Sequence, residues 1–260
     1  MADNRCVGGH GPAQLEPSDL GTKEYWDKLY TSELRNHAAD PSDIGTVWFD
    51  DSDAETKVVD FLSDLASSSS LPSPPPDAPC KETASLLDLG CGNASLLFTL
   101  RAAGWTGRAR GVDYSPQSIA LARQVAASKA AEADSPLPVE LAEWDVVAGP
   151  LDAVLDGAQA RGWDVVLDKG TFDAVSLSDE RDARGRRRPC EAYRDRVVRV
   201  VRPAGLLVVT SCNWTEPELV EWFAGGHRPG FAVTGRVRYR TFSFGGVKGQ
   251  TISTVCFRKL

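Results

Sequence analysis

The hydrophobic and polar positions from residue 85 onward predict strands and helices that follow one another in turn. Several predicted strands are apolar at nearly every position, as in 165–167 and 206–209, which is typical of strands covered on both faces of a parallel sheet. We predict parallel strands at 85–89, 109–113, 139–143, 163–168 and 205–211. We predict helices between them at 95–103, 116–133 and 193–201.

Beyond residue 230 the pattern changes to the alternation of apolar and polar positions that favours half-exposed strands. This alternation covers 230–242 and 251–258, and glycines lie between the two runs, as in a turn. We therefore predict an antiparallel hairpin that closes an otherwise parallel sheet. The expected fold class is α/β, with a doubly wound, mostly parallel sheet.

The residues before the first strand predict a less regular region. Residues 1–20 are rich in glycine, proline and aspartate and are expected to be a flexible tail. Helical patterns follow at 22–35 and at about 52–65. The serine- and proline-rich segment 66–82 is interpreted as a surface loop, because the material before it is too short to form its own core. A single domain is expected over 21–260.

The bulk composition narrows the class of protein. The chain has 260 residues, of which 42% are apolar and 25% charged, as in a globular protein in water. A net charge of −7 argues against direct nucleic-acid binding. No signal-like N-terminus and no apolar run of roughly 18 residues is present, and the six cysteines are scattered. We therefore expect a cytoplasmic protein without a membrane anchor or a bound metal.

A short motif points to a nucleotide-like ligand. Residues 86–94 read as an apolar strand that contains an acid, Asp88, followed by Gly90 and Gly92 and then by a helix-compatible segment. Such a strand–loop–helix unit presents bare backbone N–H groups to a ligand. A second acid, Asp113, ends the next predicted strand, where a carboxylate suits ribose hydroxyls. The pair predicts an adenosine-containing cofactor, although Asp113 could also be a solvated turn residue.

The residues around this motif favour S-adenosylmethionine over a dinucleotide. The position of the third glycine of the dinucleotide fingerprint holds Ser95. The carboxylate of Asp88 suits the ammonium group of S-adenosylmethionine and would repel a pyrophosphate, although it could simply cap the loop. Asp145 follows the third strand and could accept from the adenine amine, while Trp144 could pack on the ring or belong to the core.

Two further residues are candidates for the chemistry. Asp168 ends the fourth strand, where a carboxylate could orient an incoming amine for an in-line methyl transfer. A lysine amine must be neutral to attack, and its deprotonation near neutral pH costs roughly 4 kcal/mol. The alternative for Asp168 is an acid that caps the next turn through Thr171. Trp214, after the fifth strand, could hold an alkyl-ammonium with its ring or pack on the helix that follows.

Seven segments spread over residues 20–260 match the motifs of one family. They are LGTKEYWDKLY (20–30), GTVWF (45–49), LDLGCGN (87–93), GVDYSP (111–116), LDKGTFDA (167–174), TSCNWT (210–215) and FSFGG (242–246). Through them the chain resembles the seven-β-strand S-adenosylmethionine-dependent methyltransferases and, more narrowly, the lysine methyltransferases of elongation factor 1-alpha. The glycine loop is specific only to the superfamily, whereas DKGTFD and SCNWT are narrower.

The resemblance implies a Rossmann-like, class I methyltransferase sheet of seven strands with helices on both faces. It implies that the protein binds S-adenosylmethionine, that the substrate is a folded protein modified at one lysine, and that the chain is a monomer. An N-terminal helix with Trp26 and Tyr30 would cover the site. The expected cofactor contacts are Trp48, Asp88, Gly90, Gly92, Asp113, Tyr114, Trp144 and Asp145; the expected substrate contacts are Trp26, Tyr30 and Trp214; the expected catalytic residue is Asp168.

Two departures from the family pattern stand out, and three other functions stay open. The connector 66–79 is longer than the pattern needs, and 180–189 is an arginine-rich insert that could dock on an acidic partner, bind RNA, or be only a solvated loop.

The alternative functions are methylation of another protein or of a small amine, an NAD-dependent oxidoreductase, and an inactive cofactor-binding interaction module.

Overall fold

The computed structural model describes residues 14–67, 78–132, 138–181, 185–226, 230–240, 242–244, 247–249 and 251–260. Residues 1–13 of the predicted tail, most of the predicted connector and Gly245–Gly246 of the last family motif lie outside this range. The helices are α1 (Lys23–Ala39), α2 (Ala54–Ser67), α3 (Ser95–Ala102), α4 (Pro116–Glu132), α5 (Thr171–Ser176), α6 (Pro189–Val200) and α7 (Glu216–Ala224). None of them is long and apolar enough to cross a bilayer.

The strands form the predicted sheet. They are β1 (Leu86–Leu89), β2 (Ala109–Asp113), β3 (Glu140–Glu143), β4 (Trp163–Lys169), β5 (Val201–Ser211), β6 (Phe231–Val237), β7 (Phe242–Phe244), β8 (Val247–Gly249) and β9 (Ser253–Lys259). Seven of them lie side by side in the order β3-β2-β1-β4-β5-β9-β6, and β7 and β8 form a separate hairpin. The pairs from β3 to β5 are parallel, and β9 runs antiparallel between β5 and β6. The seven-stranded α/β fold with a reversed strand is confirmed.

The topology fixes where a ligand can bind. The strand order reverses between β1 and β4, which are neighbours although β2 and β3 separate them in the chain. In such sheets ligands bind beyond the carboxyl ends of the strands at this switch point. Leu89 pairs with Val112 on one side and with Asp168 on the other, so the carboxyl ends of three strands lie next to one another.

Buried side chains cover both faces of the sheet. Leu87 and Leu89 lie in one apolar cluster and Leu86 in another, as expected for side chains that alternate along a strand. The first cluster joins the sheet to α5, α6 and α7, and the second joins it to α2 and α3. A third, smaller cluster packs α1 on α4 through Tyr30, Leu121 and Val125. This packing holds α1 close to the carboxyl edge of the sheet.

The N-terminal segment differs from the predicted flexible tail. Residues 14–22, which we call the N-terminal strap, lie across the loop after α5. The N–H of Ser18 donates to the Leu177 carbonyl at 3.1 Å. Arg188 donates to the Leu15 carbonyl at 2.7 Å and also to the carbonyls of Ser178 and Ser176. Two residues of the predicted tail, Leu15 and Ser18, are therefore held by hydrogen bonds, one of them from a buried guanidinium.

The arginine-rich insert is partly structural. Arg188 is 4% exposed and precedes α6, where its backbone N–H donates to the Glu191 carboxylate at 3.2 Å. Arg181, Arg186 and Arg187 are exposed, and residues 182–184 lie outside the described range. The interpretation of the exposed part as a docking loop stays a prediction.

Candidate functional site

A cavity of about 260 Å³ lies at the carboxyl ends of the strands. Its walls come from the glycine loop after β1, the ends of β2 and β3, and the residues that follow β4 and β5. The N-terminal strap, α1 and the segment around Trp48 close it from above. The sheet therefore places the cavity at the switch point, and the residues that precede the sheet in the chain form its roof.

The glycine loop forms one wall of the cavity, and two of its positions cannot accommodate a side chain. Gly90 has φ +60° and Gly92 has φ +56°, in the left-handed region that favours glycine. A Cβ on Gly90 would lie 2.2 Å from the Thr171 hydroxyl, and one on Gly92 would lie 2.8 Å from the Tyr30 hydroxyl. Gly90 lines the cavity and leaves its backbone bare there, whereas Gly92 lies behind the wall.

Asp113 joins the end of β2 to the glycine loop. It lines the cavity although only 5% of it is exposed. One carboxylate oxygen accepts from the Gly92 N–H at 3.1 Å and the other from the Ser115 N–H at 2.9 Å. Burial raises the pKa of Asp113, and these hydrogen bonds act in the opposite direction. Each oxygen keeps a second lone pair, so the carboxylate could also accept from a ligand hydroxyl.

The residues after β3 form the adjoining wall. Asp145 is half-buried and accepts from the N–H groups of Val147 and Ala148 at 2.7 and 3.1 Å, through the same oxygen. Trp144 is 5% exposed and donates its indole N–H to the Pro150 carbonyl at 2.8 Å. Both residues line the cavity, as does Tyr114, and Trp144 belongs to the apolar core as well. Trp144 is therefore a core residue that also reaches the cavity, and its packing on an adenine ring stays a prediction.

An aromatic cluster forms the roof. Trp26 packs edge-on against Trp48 at 5.4 Å and stacks on Tyr30 at 6.3 Å, and its indole N–H is held by the Leu20 carbonyl at 2.8 Å. The indole N–H of Trp48 is buried and has no hydrogen-bond partner among the described residues. The ammonium of Lys169 donates to the Trp48 carbonyl at 3.3 Å. The roof therefore contains one buried donor without a partner among the described residues.

The structure corrects the expected position of Asp168. This residue is 1% exposed and does not line the cavity. It accepts from the first N–H groups of α5, Thr171 at 2.9 Å and Phe172 at 3.1 Å, and from the Tyr193 hydroxyl at 2.6 Å. Burial raises the pKa of Asp168 to about 7, and the bond from Tyr193 acts against this. Asp168 therefore caps a helix, which was the alternative, and does not face the space where an amine would enter.

Trp214 and Asp88 also lie away from the cavity wall. Trp214 is 3% exposed, stacks on Phe172 at 5.9 Å and donates to the Ser176 hydroxyl at 3.3 Å, so it packs in the core and does not lie at the mouth. Asp88 is 3% exposed. Burial raises the pKa of Asp88 to about 8, and the nearby Lys169 ammonium lowers it. A bound cation close to Asp88 would favour its ionised form further.

The cavity contains residues to which the sequence analysis assigned no role. Asp173 and Lys169 lie in the DKGTFD motif, and Cys212 and Asn213 lie in SCNWT. Lys169 also pairs with Glu55 at 3.3 Å. Burial and the neighbouring Asp173 raise the pKa of Cys212 to about 12, so its thiol is not a ready nucleophile. The two motifs could have indicated these residues, because DKGTFD and SCNWT are specific to a narrower family than the glycine loop is. Among the described residues, no cluster of His, Cys, Asp or Glu could hold a metal.

Comparison with known proteins gives relatives that match nearly the whole chain. A family model described as a methyltransferase domain matches residues 81–233. The chain is 38% identical to protein-lysine N-methyltransferase EFM4 of Saccharomyces cerevisiae, over 96% of this chain and 98% of that protein. It is 30% identical to EEF1A lysine methyltransferase 2 of Homo sapiens, over 97% of this chain and 92% of that protein.

Solved structures show the same fold at lower identity. Magnesium protoporphyrin IX methyltransferase from Synechocystis, solved with bound S-adenosylmethionine, superposes with a TM-score of 0.54 at 15% identity, over 94% of this chain and 98% of that one. The [4+2]-cyclase SpnF superposes with a TM-score of 0.58 at 13% identity, over 96% of this chain and 99% of that one. Fold alone therefore does not decide the reaction.

Proposed function

We propose that this chain, which belongs to the S-adenosylmethionine-dependent protein-lysine N-methyltransferases, methylates a lysine side chain of elongation factor 1-alpha. The observation that carries the proposal is the cavity at the switch point, in which Gly90, Asp113 and Asp145 face a common space. The substrate is proposed from the relatives, because EFM4 and EEF1A lysine methyltransferase 2 match 96% and 97% of the chain.

The residues of the cavity fit S-adenosylmethionine, the cofactor of this family. Gly90 presents bare backbone at the cavity wall, where a Cβ would meet the Thr171 hydroxyl at 2.2 Å. Asp113 would accept from the ribose hydroxyls and Asp145 from the exocyclic amine of adenine, with Trp144 against the ring. The unpaired indole N–H of Trp48 suits an acceptor such as the carboxylate of the methionine part. When bound, the cofactor supplies a methyl group on a positively charged sulfur.

The chain's own residues would act mainly by positioning the reactants and excluding water. An in-line transfer needs the amine nitrogen and the methyl carbon close together and aligned. The aromatic roof of Trp26, Trp48 and Tyr30 covers the cavity. Apolar walls lower the pKa of an inserted lysine, which recovers part of the roughly 4 kcal/mol that its deprotonation costs near neutral pH.

The test is a methylation assay with purified elongation factor 1-alpha and isotopically labelled S-adenosylmethionine. We expect label on one lysine, located by mass spectrometry of the peptides, and its loss when that lysine is replaced by arginine. An Asp113→Asn variant measures the background, because it removes the charge expected at the ribose. Absence of label on elongation factor 1-alpha, while another protein of a cell extract is labelled, would overturn the choice of substrate.

The cellular setting follows from the proposed substrate. A translation factor works in the cytoplasm, and we propose that location for this chain. We also propose that the chain acts as a monomer without contact to nucleic acid, in keeping with its net charge of −7. Light scattering of the purified protein, alone and with RNA, would test both statements.

A further inference from the structure

We propose that Asp173 is the catalytic carboxylate that receives the ε-amine of the acceptor lysine. This inference rests on the proposed lysine methylation. It assigns a role to a residue that the sequence analysis quoted only as part of the DKGTFD motif. It also moves the role expected of Asp168 by five positions, from the end of β4 into the first helical turn that follows it.

The two ends of the cavity differ in what they can hold. Gly90, Asp113 and Asp145 lie at the ends of β1 to β3, where the cofactor is expected. Asp173 and Asn213 follow β4 and β5 at the other end. These two strands are paired up to their carboxyl ends, where Lys169 lies opposite Thr210. An acceptor lysine must enter from this second end, because the first end is filled when the cofactor is bound.

Asp173 is the buried acid at the acceptor end among the described residues. Four acids line the cavity as a whole, and two of them, Asp113 and Asp145, lie at the end where the cofactor is expected. Glu180 is exposed at the rim. Asp173 is 5% exposed and still reaches the cavity wall. A carboxylate in such a place interacts strongly with a nearby cation because water screens it little.

The carboxylate of Asp173 is held in a fixed orientation. One oxygen accepts from the Ser211 hydroxyl and the other from the Cys212 N–H at 2.9 Å. The Ser211 oxygen accepts in turn from the N–H groups of Trp214 and Asn213 at 2.9 and 3.2 Å. Burial raises the pKa of Asp173, and hydrogen bonds from Ser211, Cys212 and Asn213 lower it. The carboxylate is therefore positioned by its neighbours while it still reaches the cavity wall.

This arrangement suits the charge changes of the reaction. The lysine ammonium first gives a proton to water. The amine lone pair then forms the nitrogen–carbon bond while the carbon–sulfur bond breaks, and its electron pair stays on sulfur as a thioether. Positive charge therefore develops on the nitrogen during transfer, and the methylated ammonium releases its extra proton to water. Asp173 accepts an N–H hydrogen bond from the amine and stabilises this developing charge more than the neutral amine.

The test compares Asp173→Asn with wild type in steady-state methylation of elongation factor 1-alpha. Asparagine has the same shape and can still accept from the Ser211 hydroxyl, so only the bond from the Cys212 N–H is lost, and the Kd of S-adenosylhomocysteine checks that the fold persists. We expect kcat to fall by about 10²-fold or more, while the Kd of S-adenosylhomocysteine stays within about threefold of wild type. As a matched control, Asp145→Asn should weaken S-adenosylhomocysteine binding and change kcat much less.

Each outcome supports or overturns the catalytic role of Asp173. A kcat within about threefold of wild type, or a loss of cofactor binding equal to the loss of kcat, would overturn the catalytic role of Asp173. The wild-type arm separately tests the proposed function. If wild type labels another protein of a cell extract, the same comparison is made on that protein; if it labels no lysine at all, both proposals fall.

Discussion

Replacement of Asp168 by alanine should destabilise the fold rather than remove a catalytic group. The change leaves two N–H groups at the start of α5 without their acceptor and leaves the fully buried Tyr193 hydroxyl without a partner. Loss of a helix cap costs about 1 kcal/mol, and an unsatisfied buried hydroxyl costs about 1–3 kcal/mol. We therefore expect the free energy of unfolding to fall by about 2–4 kcal/mol near pH 6.

The size of this effect should depend on pH. Burial raises the pKa of Asp168 to about 7, above the ordinary value of 3.8. Folding therefore takes up a proton in this range, and the stability that the protonated group contributes is lost as pH rises through about 7. Because ionised Asp168 is less favourable in the folded state, Asp168→Ala should cost less near pH 8.5 than near pH 6.

Urea denaturation of both proteins at the two pH values measures the effect. Tyr193→Phe serves as a control that removes only the hydroxyl, and it should cost about 1 kcal/mol. Asp168→Asn, which can still accept from Thr171 and Phe172, should keep kcat within about threefold of wild type. The reasoning fails if Asp168→Ala is as stable as wild type, if its cost grows with pH, or if Asp168→Asn is folded, binds S-adenosylhomocysteine normally and loses about 10²-fold in kcat.

Three further predictions concern the cavity and the N-terminal strap. Gly90→Ala should weaken S-adenosylhomocysteine binding, measured by calorimetry, by about tenfold or more. The reason is that its Cβ would meet the Thr171 hydroxyl at 2.2 Å. Gly104→Ala is the control, because Gly104 has φ +88° and nothing within 4 Å of the added Cβ, and it should leave binding unchanged. Trp48→Phe should weaken the same binding by about three- to tenfold, since it removes one unpaired donor. Arg188→Met should lower the free energy of unfolding by about 3 kcal/mol and expose the N-terminal strap to limited proteolysis, whereas Arg187→Met, at an exposed position, should do neither.

The sheet could be predicted from the sequence because its strands obey simple rules. β2 occupies 109–113 as predicted and ends in the acid Asp113, which a turn follows. β5 begins at Val201, earlier than the predicted start at residue 205. The segment with Pro203 and Gly205 is accommodated by a register shift between Trp163 and Val165 of β4. Local composition could not reveal that neighbouring strands would hold such residues in a sheet.

The sequence predicted which loops form the site, but it did not predict which carboxylate of a loop faces the cavity. Asp113, Asp145 and Trp48 line the cavity, as the motifs suggested. Asp168 and Asp173 belong to the same short motif, and spacing alone could not tell which faces the cavity and which caps α5. That choice depends on the buried hydroxyl of Tyr193, which comes from α6 and is distant in sequence.

The roof of the cavity precedes the sheet in the chain. Leu20, Trp26, Tyr30 and Trp48 line the cavity, and all of them lie before residue 81, where the match to the methyltransferase domain begins. A polypeptide trimmed to that match would keep the glycine loop and the acids but leave one side of the pocket bare. Exchanging this leading portion between relatives is therefore a way to alter which targets are admitted while the catalytic scaffold stays the same.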